Sequence, residues 1–190
     1  LGHAITDPDT GSILELIRGE IYRAQILDVR KGEQGMPGEL KGNFDDDVGS
    51  CLGSILQNTA QGIFGRLEQP TTSSLYPQGL QVCPAQDVET GTCSILATVG
   101  ETVQEYTAEL LYLQRDDTQG RDMVVRITDP ALLEATGGIV QGMSGSPIVQ
   151  HGQIIGAITH VFVNDATKGY GIFIERMLER TDSLAVDASA

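Results

Sequence analysis

Positive charge is scarce in this chain: 12 Lys and Arg stand against 26 Asp and Glu over 190 residues, for a net charge of −14. That balance excludes a phosphate-tracking surface, because binding nucleic acid or an anionic membrane requires clustered Lys and Arg. Long apolar runs are also missing, and all fall well short of the ~18 residues that would cross a bilayer as a helix. Cysteine is limited to Cys51, Cys83 and Cys93, with no C-x-x-C pair, which disfavours a zinc ribbon or a redox dithiol. An odd count cannot pair fully within one chain; Cys83 and Cys93 are spaced to close a ten-residue hairpin in an oxidising compartment, and three ordinary thiols fit the sequence equally well. The three histidines, His3, His151 and His160, include no i, i+4 pair, so no metal site and no cofactor are expected. No charged-then-apolar leader opens the chain, which puts any export signal upstream or already removed.

What is present is 40% apolar residues, 23 Gly and 7 Pro, with no Trp. This is enough apolar material for a folded single domain, and its short runs separated by Gly and Pro favour strands over long helices. Strands are expected over 20–29, 95–99, 106–113 and 124–127. Ile148-Val149-Gln150 and 153–158 flank His151-Gly152 as a hairpin whose two-residue connection suits a primed turn, which makes His151 a turn residue. A short helix is expected after Asp129-Pro130, a strong N-cap and N1 pair, stopped by Gly137-Gly138. A second helix is expected from about Ile174 to Glu179, with residues 181–190 fraying beyond a domain of residues 1–180. Runs about 10 to 20 residues apart point to an all-β sandwich or barrel.

Gly142-Met143-Ser144-Gly145-Ser146-Pro147 is the segment richest in chemical meaning. A serine on a glycine-bounded turn can expose its hydroxyl while the amides of Gly142 and Ser144 converge as an oxyanion hole. The same residues also fit a plain Gly/Ser loop. A serine nucleophile needs a base, and His3, 141 residues before Ser144, has the order and about the separation of chymotrypsin-type enzymes. His160, only 16 residues after Ser144, leaves too little chain for that role. In such a double β-barrel, Thr159, His160 and Val161 would border the substrate and the loop at 164–168 would rim the first-subsite pocket. His160 equally fits a strand at the edge of the core.

Residues 1–11, Lys31-Gly32 through Leu40, Asn58-Thr59-Ala60-Gln61-Gly62-Ile63-Phe64-Gly65, Ile127-Thr128-Asp129-Pro130, 137–147 and 159–171 together resemble the SpoIVB family of sporulation signalling serine peptidases. The likeness extends from Leu1 to about Leu178. It implies a chymotrypsin/trypsin-like double barrel, with a short helix before the nucleophile loop and a closing C-terminal helix. It implies a secreted serine endopeptidase acting between the forespore and mother-cell membranes. The substrate implied is a protein, the membrane-bound inhibitory subunit of an intramembrane metalloprotease complex, whose release leads to sigma-factor activation. The family's PDZ domain and the barrel strand before His3 are not in this sequence, so a fragment or processed form is expected. The family's catalytic residues carry over to His3, Ser144 and, as acid, Asp129.

The acid is contested. Chymotrypsin-like order places it ~45 residues after the histidine, where Asp45, Asp46 and Asp47 lie, whereas Asp129 precedes Ser144 by 15 residues and also makes a good helix cap. Asp7, Asp9 and Asp165 fit turns better. An inactive peptidase-fold module that binds an envelope protein is the competing function, and the intact Gly142–Gly145 loop together with His3 favours the enzyme.

Overall fold

The computed structural model describes residues 3–33, 35–44, 50–68, 71–117 and 120–187, with side chains described to residue 181. Asp45, Asp46 and Asp47 lie outside the described residues. The chain is mostly β, as expected. Its first half holds β1 (Glu20–Tyr22), β2 (Ala24–Arg30), β3 (Glu39–Phe44), β4 (Cys51–Thr59) and β5 (Gly62–Leu67). The strand expected over 20–29 divides at Arg23, because β1 pairs with β4 while β2 pairs with β3. These residues therefore form two small sheets, β1-β4-β5 and β2-β3.

The second half contains β6 (Gln81–Val82), β7 (Gly91–Thr98), β8 (Val103–Leu113), β9 (Met123–Ile127), α1 (Pro130–Thr136), β10 (Pro147–Gln150), β11 (Gln153–Phe162), β12 (Asp165–Phe173) and α2 (Ile174–Asp187). Strands β10-β7-β8-β9-β12-β11 follow one another in a sheet, and β10 also pairs with β11. That second pairing closes a six-stranded antiparallel barrel, which removes its edges. Closure of one barrel is thus realised, while the first half keeps the two sheets as separate pieces.

Alternation explains how the barrel fills. In β8, Tyr106, Ala108 and Leu110 are buried while Glu105, Thr107 and Glu109 point outward or toward the rim, the period of two that half-buried strands require. Ile95, Leu110, Met123, Val125, Leu132, Met143, Ile148, Ile155 and Phe173 belong to the continuous core. Every buried residue of that core lies at or beyond Cys83; in the first half, Phe64 is the buried large apolar side chain among the described residues.

The local expectations hold at the turns. His151 (φ 51°) and Gly152 (φ 75°) both take the left-handed conformation that a primed two-residue hairpin needs. Asp129 caps α1, and Gly137 at φ 75° ends it with its amide donating to Leu133 O. Two expectations are corrected, and one open alternative is resolved. α2 runs on to Asp187, because no Gly or Pro interrupts 174–187. The loop placed at 164–168 is mostly strand, since β12 begins at Asp165 and leaves a two-residue turn. Cys83 and Cys93 are buried free thiols rather than a disulfide, and burial lifts the Cys93 thiol to about 12. Among the described residues no helix is long and apolar enough to cross a membrane.

Asp122 fastens the barrel to α2. Its side chain is fully buried, with Oδ2 accepting the Phe173 amide at 2.8 Å. Arg176 Nε sits 3.0 Å from Oδ1, near enough to pair charges though off the line of a hydrogen bond. The Asp122 carbonyl accepts the Gln114 amide at 2.6 Å, and Arg176 also donates to Arg115 O. Burial pushes the Asp122 carboxyl up to about 6, against the lowering pull of the Phe173 amide and Arg176. The folded state therefore takes up a proton between about pH 4 and 6 that the unfolded chain does not. This group's contribution to stability grows as pH falls through that window and diminishes as pH rises. Urea denaturation at pH 4, 5, 6 and 7 should show the parent gaining stability relative to Asp122→Asn toward pH 4, by at most ~3 kcal/mol. A pH-independent difference between the two would refute this linkage.

Candidate active site

The turn that carries Ser144 is fixed from below by two buried side chains, Val140 and Met143. Met143 N donates to Val140 O at 3.1 Å and Ser146 N to Met143 O at 3.0 Å. Gly145 N donates to Ile158 O at 2.8 Å, and Ile158 N returns the bond to Ser146 O at 2.9 Å, which ties the loop to β11. From the other half of the molecule, Leu40 N donates to Gln141 O and Gln141 N to Gly38 O. Gly142 adopts φ +98°, and a Cβ there would lie 3.1 Å from Leu40 Cβ, so both backbone conformation and space call for glycine. The Gly142 and Ser144 amides have no protein acceptor among the described hydrogen bonds.

Ser144 Oγ donates to Thr159 O at 2.7 Å, and the buried Thr159 hydroxyl in turn donates to Gly120 O at 3.2 Å. The pairing register of β11 with β12 shifts between Ile158 and Val161, so Thr159 and His160 fall at a bulge. A bulge re-aims side chains: Thr159 is buried and His160 is exposed beside it. Val161 is half-buried against the core. A Cβ on Gly169 would lie 2.5 Å from His160 O and 2.7 Å from Ile139 Cδ1, so β12 closes tightly beneath this segment.

His3 reaches the same place from the first half. Asn58 on β4 holds its segment, accepting from Ile5 N at 2.9 Å and donating to Ile5 O and Leu14 O. His3 Nδ1 lies 2.8 Å from Ala4 O. A carbonyl only accepts, so Nδ1 carries the proton and Nε2 is left as the acceptor, the tautomer a general base needs. The His3 and His160 rings stand 5.3 Å apart, centroid to centroid. They line a cavity of about 710 Å³ together with Ala4, Ile5, Thr6, Ala60 and Arg121. Desolvation of the ring, then His3 and Arg121 nearby, lower the His160 pKa and so favour the neutral imidazole. A second cavity, about 590 Å³, lies along Gly142, Gly145 and Ser146 and is walled by Leu40, Leu96 and Ile154. The His3 cavity is the one that carries acid–base groups.

The structure thus gathers Ser144, Thr159, His160 and His3 into one chain of neighbours. Ser144 and His3 are not themselves hydrogen-bonded; they meet through the adjacent residues Thr159 and His160 of β11. Asp129 is engaged elsewhere. One of its oxygens accepts from Ala131 N and Leu132 N, the other from Thr107 N at 3.2 Å and Thr107 Oγ1 at 3.4 Å. Burial tends to raise its pKa, but these donors outweigh it and hold the carboxyl below its usual range. Among the described hydrogen bonds and ion pairs none joins Asp129 to His3, and this arrangement leaves the carboxyl on Thr107 and the first turn of α1. Asp7 is a turn residue as expected, accepting from Thr10, whereas Asp165 opens β12 rather than sitting in a turn and pairs with Lys168 at 2.8 Å. Among the described residues no cluster of His, Cys, Asp or Glu could hold a metal ion.

Two residues around the His3 cavity escaped the sequence reading. Arg121 lies in the His3 cavity, but nothing in its own surroundings marks it out from the chain's other arginines. Asn58, which anchors the His3 segment, stands in a motif of the family resemblance, with its task hidden until β4 is placed.

A search among curated proteins finds no match to the chain. Among solved structures, kallikrein-related peptidase 10 is similar to it with a TM-score of 0.48 at 9% identity, over 88% of this chain and 89% of that one. The family model described as SpoIVB peptidase S55 matches residues 1–178. With nearly its whole length so matched, the chain belongs to the SpoIVB peptidase S55 family and is a serine peptidase.

Proposed function

We propose that Ser144 is the nucleophile and His3 the general base of this peptidase. The observation that carries the reading is the linkage of Ser144 Oγ through Thr159 to His160 and the His3 ring, beside two unengaged amides. Rotation of Ser144 Oγ away from Thr159 O frees its proton for Nε2 of His3, and the oxygen attacks the scissile carbonyl. The oxyanion that forms is received by the Gly142 and Ser144 amides, and His3 then returns the proton to the leaving amine. An extended substrate lies along Thr159, His160 and Val161, adding its backbone to the rim of β11.

Asp129 serves this site through α1. By capping the helix it fixes the segment that leads through Gly137 into the Val140–Ser144 turn, and is a positioning residue in that role. The wider function proposed is cleavage of a membrane-associated regulatory protein in the space between forespore and mother-cell membranes, releasing an intramembrane metalloprotease and activating a sigma factor. Its support is the family, whose members act in sporulation; the direct test is cleavage of the metalloprotease's inhibitory subunit, reconstituted in vesicles, by the purified peptidase. The bond from Ser144 to a carbonyl favours one rival, an inactive module that only binds an envelope protein.

Labelling separates the two. A fluorophosphonate should modify the parent at Ser144 and leave Ser144→Ala unmodified, with peptidase activity lost and thermal melting within a few degrees of the parent; no labelling of the parent supports the inactive module. His3→Ala should lower turnover about as far as Ser144→Ala, because nucleophile and base act as a unit. A His3→Ala protein with parental turnover would transfer the base to another group.

Asp129→Asn should keep melting and at least about a tenth of the activity, since Asn caps a helix about as well as Asp. Asp129→Ala should lose about 1 kcal/mol of stability and more activity. If Asn keeps the parental melting yet costs about 10⁴ in turnover, the carboxylate acts on His3 as the family's acid does.

A further inference from the structure

Arg121 stands out in the His3 cavity as a cation in an acidic protein. Its guanidinium lies 5.2 Å from the centroid of the Tyr170 ring, and Tyr170 is itself packed on Phe162 at 4.7 Å. Stacking on an aromatic face orients an arginine without consuming its N–H donors in the ring plane. The backbone beneath it is pinned on both sides: Arg121 N donates to Asp117 Oδ2 at 2.8 Å, and the preceding carbonyl, Gly120 O, accepts the Thr159 hydroxyl. Thr159 is the same residue whose carbonyl holds Ser144 Oγ. The arginine is therefore positioned from the substrate strand itself, one residue from the point where the candidate nucleophile is tethered.

Arg18, Arg30, Lys41, Arg126, Lys168 and Arg176 each have a carboxylate partner within 4 Å. Arg121 has no carboxylate within that distance among the described residues, in a chain with more than twice as many acids as bases. Arg23, Lys31, Arg66 and Arg115 share with Arg121 the lack of a carboxylate partner among the described ion pairs, and what sets Arg121 apart from them is that it lines the His3 cavity. An oriented guanidinium with free donors in a cleft is built to receive a carboxylate, which it can hold bidentately. We infer that Arg121 is a specificity subsite for an acidic side chain of the protein substrate, a few residues from the scissile bond on the side that lies along β11. The net charge of −14 does not oppose this at physiological salt, where charges more than about 8 Å apart are largely screened.

The inference rests on the peptidase reading, and the experiment keeps the two apart. A proteome-derived peptide library is digested with the parent, Arg121→Ala and Arg121→Glu proteins, and the cleavage sites are read by mass spectrometry; Ser144 labelling by fluorophosphonate is measured on each preparation. The expected result is enrichment of Asp and Glu at one position before the scissile bond in the parent, lost in Arg121→Ala and turned toward Lys and Arg in Arg121→Glu. For one defined peptide cut by the parent, Glu→Gln at that position should lower kcat/KM about tenfold with the parent and leave it unchanged with Arg121→Ala, while all three proteins label equally. Labelling without an acidic preference in the parent, or a preference that both variants retain, overturns the subsite and spares the peptidase. Absence of both labelling and cleavage overturns the peptidase reading and the subsite with it.

Discussion

The four residues of β10 hold the molecule in its working shape, because they pair with β7 on one side and β11 on the other and so close the barrel. The Ser144 turn enters directly into β10, and its bonds to Ile158 fasten it to β11 one residue before Thr159. Barrel closure and loop conformation are thus one constraint. A register slip in this short strand would move Ser144, the Gly142 amide and the substrate strand together. The buried Met143 between the two glycines anchors the same turn from inside the core.

Around that constraint, polar groups fix orientation and apolar groups supply stability. Thr159 offers its carbonyl to Ser144 and its hydroxyl to Gly120, while its neighbour His160 faces His3. Asp122 performs the analogous service at the far end of β12, joining strand, helix and the β8–β9 connection through one carboxylate. Buried polar groups with more than one partner specify a single arrangement, whereas the surrounding Ile, Val and Leu side chains would tolerate several.

Much of this was legible in the residues. The His151-Gly152 hairpin, the Asp129-Pro130 cap and the alternation of β8 rest on local chemistry that neighbouring residues determine. The glycine-bounded Ser144 turn was legible for the same reason. What could not be read depended on distant partners. The split at Arg23 follows from two different strands claiming β1 and β2, and the extension of α2 to Asp187 follows from the lack of any local stop. The double use of Asp129 illustrates the limit most clearly: cap and catalytic acid require the same residue type, and only the positions of Thr107 and His3 distinguish them. Arg121 was invisible because its significance lies in Tyr170 and Gly120, one far along the chain and the other on a turn held by β11.

The uneven distribution of burial has a consequence for how the peptidase responds to heat. Nearly all of the core lies in the closed barrel, and the half that carries His3 is two thin sheets with Ile17, Leu27 and Phe44 exposed. Elements with few buried contacts open at lower free energy than the core they rest on. The histidine therefore sits on the more labile half and the serine on the more durable one. With His3 and Ser144 in the roles proposed for them, catalytic competence is the docking of one half upon the other, and it fades by partial opening while the barrel, and the Ser144 turn within it, are still folded.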